Sequence, residues 1–176
     1  PICLTTDGYE HFVRHGGLRE KIQLELNRKK FSDMRWEEIW DTALRIQNLF
    51  RKTAMPDELY REILTAVDER FKDKPLVLRS SAPEEDRAAG SFAGMHESYL
   101  NIRGDEAVLD AVRNVWSSLW SDRALLYRQE LGLDVGTSSM AVVIQELVEG
   151  DCSGIVFSES PVDSSQLIIE AVYGLN

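Results

Sequence analysis

The sequence is poor in cysteine and in positive charge, and it has no apolar run long enough to cross a bilayer. Its two cysteines, Cys3 and Cys152, stand far apart, with no CxxC pair and no metal-ligand spacing. They are expected to be reduced, packed thiols of a cytoplasmic protein. Apolar stretches such as Met140 to Ile144 fall far short of the roughly 20 residues of a membrane helix. The start, Pro1-Ile2-Cys3-Leu4, lacks the basic leader and apolar core of a signal peptide, and both ends look like cuts in a longer chain. Twenty basic residues face thirty acidic ones, a formal charge of -10. Such a surface repels phosphate backbones, so no nucleic-acid partner is expected. A polyanionic ligand would need a local basic or amide-rich pocket set against the global field. The Walker phosphate loop and GxGxxG are absent, as are HExxH and GxSxG. That leaves no motif for a P-loop nucleotidase, a dinucleotide-binding domain, a zinc protease or a serine hydrolase.

What is present is ordinary globular composition, 43% hydrophobic and 28% charged, enough for a real core. Up to about residue 72 the pattern is helical. Thr5 or Thr6 can cap a short helix carrying Tyr9, Phe12 and Val13, which Gly16-Gly17 stops. Leu18, Ile22, Leu24 and Leu26 make a second amphipathic stretch. Ser32 is the expected cap of a third helix, whose Trp36 and Trp40 stripe is assigned to core packing along with Ile39, Ala43, Ile46 and Phe50. Pro56 opens a fourth, with Leu59, Ile63, Val67 and Phe71.

After Lys74-Pro75 the period changes. Leu76-Val77-Leu78 is expected to form a buried strand that delivers Arg79-Ser80-Ser81 at its tip, followed by a small-residue loop ending in Ser91-Phe92-Ala93-Gly94. Tyr99 to Ile102 is a second strand. Two helices follow, over 104–120 and from Ser121 to Gly132. Strands are expected over Met140 to Val148, Gly154 to Ser158 and Leu167 to Val172.

An arginine at a strand tip can present two parallel donors to phosphate oxygens. A loop of small residues lets backbone N–H groups approach a triphosphate. Neither is diagnostic, since strand-end arginines usually make structural ion pairs. Gln145-Glu146-Leu147-Val148 closes an apolar strand, where backbone donors and acceptors could serve a base, or where the sheet simply has an edge. Glu84-Glu85-Asp86 reads as a solvated turn. His11 and His15, at i and i+4, lack a third ligand, and His96 forms no set with them.

Taken together, Arg79-Ser80-Ser81-Ala82, Glu85-Asp86, Ser91-Phe92-Ala93-Gly94, Tyr99-Leu100-Asn101, Asp122-Arg123-Ala124, Ser153-Gly154-Ile155-Val156-Phe157 and Tyr173-Gly174-Leu175 resemble the nucleotide-binding domain shared by phosphoenolpyruvate synthase and pyruvate phosphate dikinase. Rifampin phosphotransferase and the glucan-phosphorylating dikinases carry related domains. The resemblance covers residues 75–176 strongly and 1–74 chiefly through Thr5-Thr6-Asp7 and Tyr9. It implies an α+β, ATP-grasp-like fold, with a helical N-terminal part (1–74) and a mixed core with antiparallel strands (75–176).

It also implies a phosphotransferase that passes a phosphoryl group from ATP, through a histidine on a separate swivelling domain, to pyruvate held by an acceptor-binding domain. A related dikinase acting on an antibiotic or a glucan is the alternative, as is a nucleotide-binding module without catalysis. By the resemblance Arg79 contacts the ATP phosphates, Gly94 and Ser98 line the phosphate-side loop, and Gln145, Glu146 and Val148 hold the adenine, the last two through backbone. Met95-His96 stand where the family commonly has glutamine, and Ser98 where it has threonine. The glycine-rich segment with its lysine and the segment with the Mg2+ ligands would lie outside these residues, so the 176-residue chain alone is expected to be inactive.

Overall fold

The computed structural model describes residues 1–82, 97–134, 136 and 138–174. In chain order the elements are β1 (Ile2–Leu4), α1 (Thr6–His15), α2 (Leu18–Leu26), a 3-10 turn (Phe31–Asp33), α3 (Trp36–Lys52), α4 (Asp57–Phe71), β2 (Leu76–Ser81), β3 (Ser98–Ile102), α5 (Asp105–Ser118), α6 (Asp122–Glu130), β4 (Ala141–Glu146), β5 (Cys152–Phe157) and β6 (Ile168–Tyr173). The fold is mixed α+β with antiparallel strands. It divides into two compact units, Pro1–Glu146 and Leu147–Asn176. Among the described residues, no helix is long and apolar enough to cross a membrane.

Local chemistry places the helix ends. Thr5 caps α1 in extended conformation and Asp7 lies in its first turn, where a negative charge suits the helix dipole. Gly17, at φ 57, takes the left-handed conformation that turns the chain into α2. The Ser121 hydroxyl accepts the Ala124 N–H at 3.2 Å and starts α6. Ser32 does not cap α3; it lies in the 3-10 turn. The helix begins after Arg35, whose backbone N–H donates to the Glu38 carboxylate at 2.8 Å.

The Trp36 and Trp40 stripe departs from expectation as well. Ile39, Ala43, Ile46 and Phe50 are buried, whereas Trp36 is 61% and Trp40 50% exposed. Each helical residue turns about 100° from the last, so Trp40 lies on the flank beside Ile39. Helical spacing shows that two residues share a side, not that the side is covered.

The core of the first unit is aromatic. Tyr9, Phe12, Phe50, Trp116 and Trp120 pack with ring centroids 4.9 to 6.3 Å apart, and each fully buried side chain contributes roughly 1.5–3 kcal/mol. Their polar atoms are paired: Trp120 Nε1 donates to Tyr9 Oη at 3.2 Å, and Trp116 Nε1 to the Met140 carbonyl at 3.1 Å. Burial pushes the Tyr9 phenol well above its ordinary range. The buried Arg128 guanidinium lies 5.4 Å from the Trp120 ring centre and donates to the Leu119 carbonyl.

The sheet of this unit runs β1-β4-β2-β3, every pair antiparallel. Leu76, Leu78, Val142 and Ile144 line its buried face. β1 interrupts the segment expected to be wholly helical. Three residues are too few for a visible alternation, and the strand exists because Ile2 to Leu4 pair with Ile144 to Val142. In the second unit β5 and β6 pair from Cys152↔Tyr173 to Phe157↔Ile168. Neither cysteine is packed as expected: Cys3 and Cys152 are free and exposed.

Candidate functional site

The register of the four-stranded sheet brings separate parts of the chain into one row. Cys3 of β1 pairs with Val143 of β4, Val143 with Arg79 of β2, and Arg79 with Ser98 of β3. Residues directly opposite one another on neighbouring strands share a face. All four side chains therefore lie on the face turned away from the helices. Gln145, paired with Val77, is two residues along β4 from Val143 and shares that face.

Arg79 is exposed, and no hydrogen bond or ion pair joins its guanidinium to another described residue. Ser98, the first residue of β3, is exposed too. The charge is thus fixed to a rigid strand and left available, an arrangement suited to an anion.

β4 is an inner strand, paired with β1 on one side and with β2 on the other. The Glu146 side chain, paired with Leu76, lies on the other face by strand alternation, and its carboxylate there accepts from Lys74 Nζ at 2.9 Å. This leaves the Glu146 backbone as its contribution to the open face. Val148 is exposed and belongs to the second unit.

Gly94 lies outside the described residues, as do Glu84, Glu85, Asp86 and His96. The row adds Cys3 to the neighbourhood of the site, and Lys74 meets Glu146 on the other face. Their positions carry no sequence signal, because they depend on pairing with β4 far along the chain. Among the described residues no group of three or more His, Cys, Asp or Glu could hold a metal ion. A cavity of about 230 Å³ lies elsewhere, lined by Tyr9, Arg19, Trp120 and Ser138 among others, with the Glu10–Arg19 ion pair beside it. Its described lining includes none of Arg79, Ser98, Gln145, Glu146 and Val148.

Comparison with known proteins shows the family. Residues 2–176 match the family described as pyruvate phosphate dikinase, AMP/ATP-binding domain. A phosphoenolpyruvate synthase of Aeropyrum pernix is 36% identical over 99% of the chain, which spans 22% of that protein. A probable phosphoenolpyruvate synthase of Methanocaldococcus jannaschii is 33% identical over 99% of the chain and 15% of the relative. A rifampicin phosphotransferase of Streptomyces sviceus is 34% identical, again over 99% of the chain and 20% of the relative. The chain therefore spans about a fifth of the length of these curated relatives, and it belongs to the pyruvate phosphate dikinase AMP/ATP-binding domain family.

Proposed function

We propose that this chain is the ATP-binding part of a phosphotransferase, in which a phosphoryl group passes from ATP to a histidine on another domain and then to pyruvate. The observation that carries the reading is the cross-strand row that sets Arg79, unpaired among the described residues, beside Ser98 on the sheet face turned away from the helices. In this reading the face belongs to an ATP-grasp site. Arg79 donates to phosphate oxygens, Ser98 and the loop through Gly94 line the phosphates, and Gln145, Glu146 and Val148 hold the adenine. When the phosphorus–oxygen bond of ATP breaks and the phosphorus–nitrogen bond to histidine forms, charge shifts onto the departing phosphate. Rigid donors such as the Arg79 fork stabilise that charge without having to reorganise. Magnesium, when bound, would neutralise phosphate charge. The residues of this chain supply binding and orientation.

Rifampicin phosphotransferases stand among the relatives at similar identity, so an antibiotic is the second reading for the acceptor. A nucleotide domain alone does not select between them.

The test is Arg79→Ala in the intact protein, reading ATP-dependent phosphorylation of the acceptor histidine alongside thermal unfolding. The expected outcome is a loss on the order of a thousandfold in rate with the melting transition kept cooperative, and partial recovery in Arg79→Lys, which retains charge but not the planar fork. A variant that melts early yet transfers phosphate at a near-normal rate would make Arg79 a structural residue and end the reading.

A further inference from the structure

β3 carries one residue more than its partner strand. Leu76 pairs with Ile102 and Leu78 with Tyr99, so Val77 alone stands opposite Leu100 and Asn101. Asn101 holds φ 55, in the left-handed region that asparagine enters more readily than most residues. Together these make a β-bulge turning on a left-handed residue.

The bulge changes which side chains face which way. In a regular strand, residues three apart point to opposite faces, yet Tyr99 and Ile102 both pack against the core. The extra residue returns Tyr99 to the core side, and Ser98 is thereby turned to the open face, opposite Arg79. If the Leu76–Ile102 pairing continued without interruption, Tyr99 would meet Arg79 and Ser98 would turn inward, because a one-residue slip exchanges the two faces.

We propose that Asn101 is a positioning residue of the nucleotide site, whose left-handed backbone carries the bulge that holds the Ser98 hydroxyl on the Arg79 face. This rests on the assignment of that face to nucleotide. Asn101 acts through its backbone. Its side-chain oxygen is turned to Arg103, accepting from Nε at 3.3 Å.

The experiment titrates ATP into Asn101→Gly, Asn101→Ala and Asn101→Val of the intact protein, with Ser98→Ala and Arg79→Ala beside them and thermal unfolding measured on each. Glycine enters the left-handed region freely and should bind ATP within about twofold of the parent. Valine is strained there and should bind about tenfold more weakly as the flat register gains population. Alanine should fall between them, and it carries the comparison if the valine variant does not fold. Parent affinity in Asn101→Val and Asn101→Ala, with only the melting temperature lowered, overturns the proposal. So does an Asn101→Gly as weak as Asn101→Val, since the side chain and not the backbone would then be at work. Weak binding by Ser98→Ala with normal binding by Asn101→Val removes the bulge alone. Parent affinity in both Ser98→Ala and Arg79→Ala removes the nucleotide face, and this inference with it.

Discussion

The four-stranded sheet and the β5–β6 hairpin are made from similar residues and end in different environments. Both are antiparallel and rich in valine and isoleucine. In the sheet, Leu78 is 0% exposed and Ile144 1%, because helices lie against one face. In the hairpin, Val156 is 65% and Ile169 66% exposed, although these two residues pair across the strands. Their neighbours on the same side are Gly154 and Ala171, another apolar pair. The other side of the hairpin carries Ile155, Phe157, Ile168 and Val172 beside Glu170. Alternation therefore marks a strand in both units, but a hydrophobic strand is stabilised only by what covers it, and a lone two-stranded ribbon is marginal in water.

The largest effect that could break this comparison is a pair of truncations in the 176-residue chain. Leu78→Ala removes a fully buried side chain and should cost about 2–5 kcal/mol in urea unfolding. Val156→Ala should stay within about 0.5 kcal/mol, as exposed substitutions do. Equal losses would mean that the hairpin is covered in solution. A smaller effect concerns the helical layer that gives the sheet its shelter. Trp120→Phe keeps most of the ring but leaves Tyr9 Oη without the Nε1 donor. It should cost about 1–3 kcal/mol, the range for a buried polar group left unpaired. No loss in that variant would mean that neither the hydrogen bond nor the second ring is the reason for a tryptophan there.

The smallest effect is electrostatic and compares one exposed carboxylate from each unit. Lys29 Nζ, at 2.8 and 3.0 Å, and the Arg35 N–H hold the Glu38 carboxyl below its usual range. In the hairpin turn the Ser165 hydroxyl and N–H, at 2.7 and 3.0 Å, do the same for Asp163. A carboxyl lowered in the folded state stabilises at pH above its unfolded value, and that contribution fades as pH falls through the folded value. The difference in melting temperature between parent and Glu38→Gln should therefore be present at neutral pH and fade as pH falls below the ordinary glutamate range. For Asp163→Asn the same loss should affect only the hairpin, visible as faster amide exchange in β5 and β6 with global unfolding unchanged. A change in global stability would show that the two units unfold as one.

Much of the architecture follows from local pattern. Leu59, Ile63, Val67 and Phe71 recur at helical spacing and all four are buried along α4. Ser121 caps α6, and the strands after Met140 fall where the period shortens. Arg79 could be singled out because an arginine at the end of an apolar run, before small residues, is chemically unusual. The exposure of Trp36 and Trp40 could not be read in this way, since it depends on which flank of α3 meets a neighbour.

Composition, spacing and turn chemistry alone determined that this chain would be mixed α+β, where most of its elements lie, and that Arg79 and the Gln145 to Val148 segment merited attention; Ser98 entered only through the family resemblance. The former depend on interactions within a few residues, which the linear order of side chains specifies. The tertiary structure alone decided that β1 joins the sheet, that Cys3, Val143, Arg79 and Ser98 form one row, that Lys74 pairs with Glu146, and that a bulge at Asn101 selects the face of Ser98. Each of these is a matter of register between strands far apart in sequence. Register is set by how the whole hydrophobic face packs, and no local pattern contains that information.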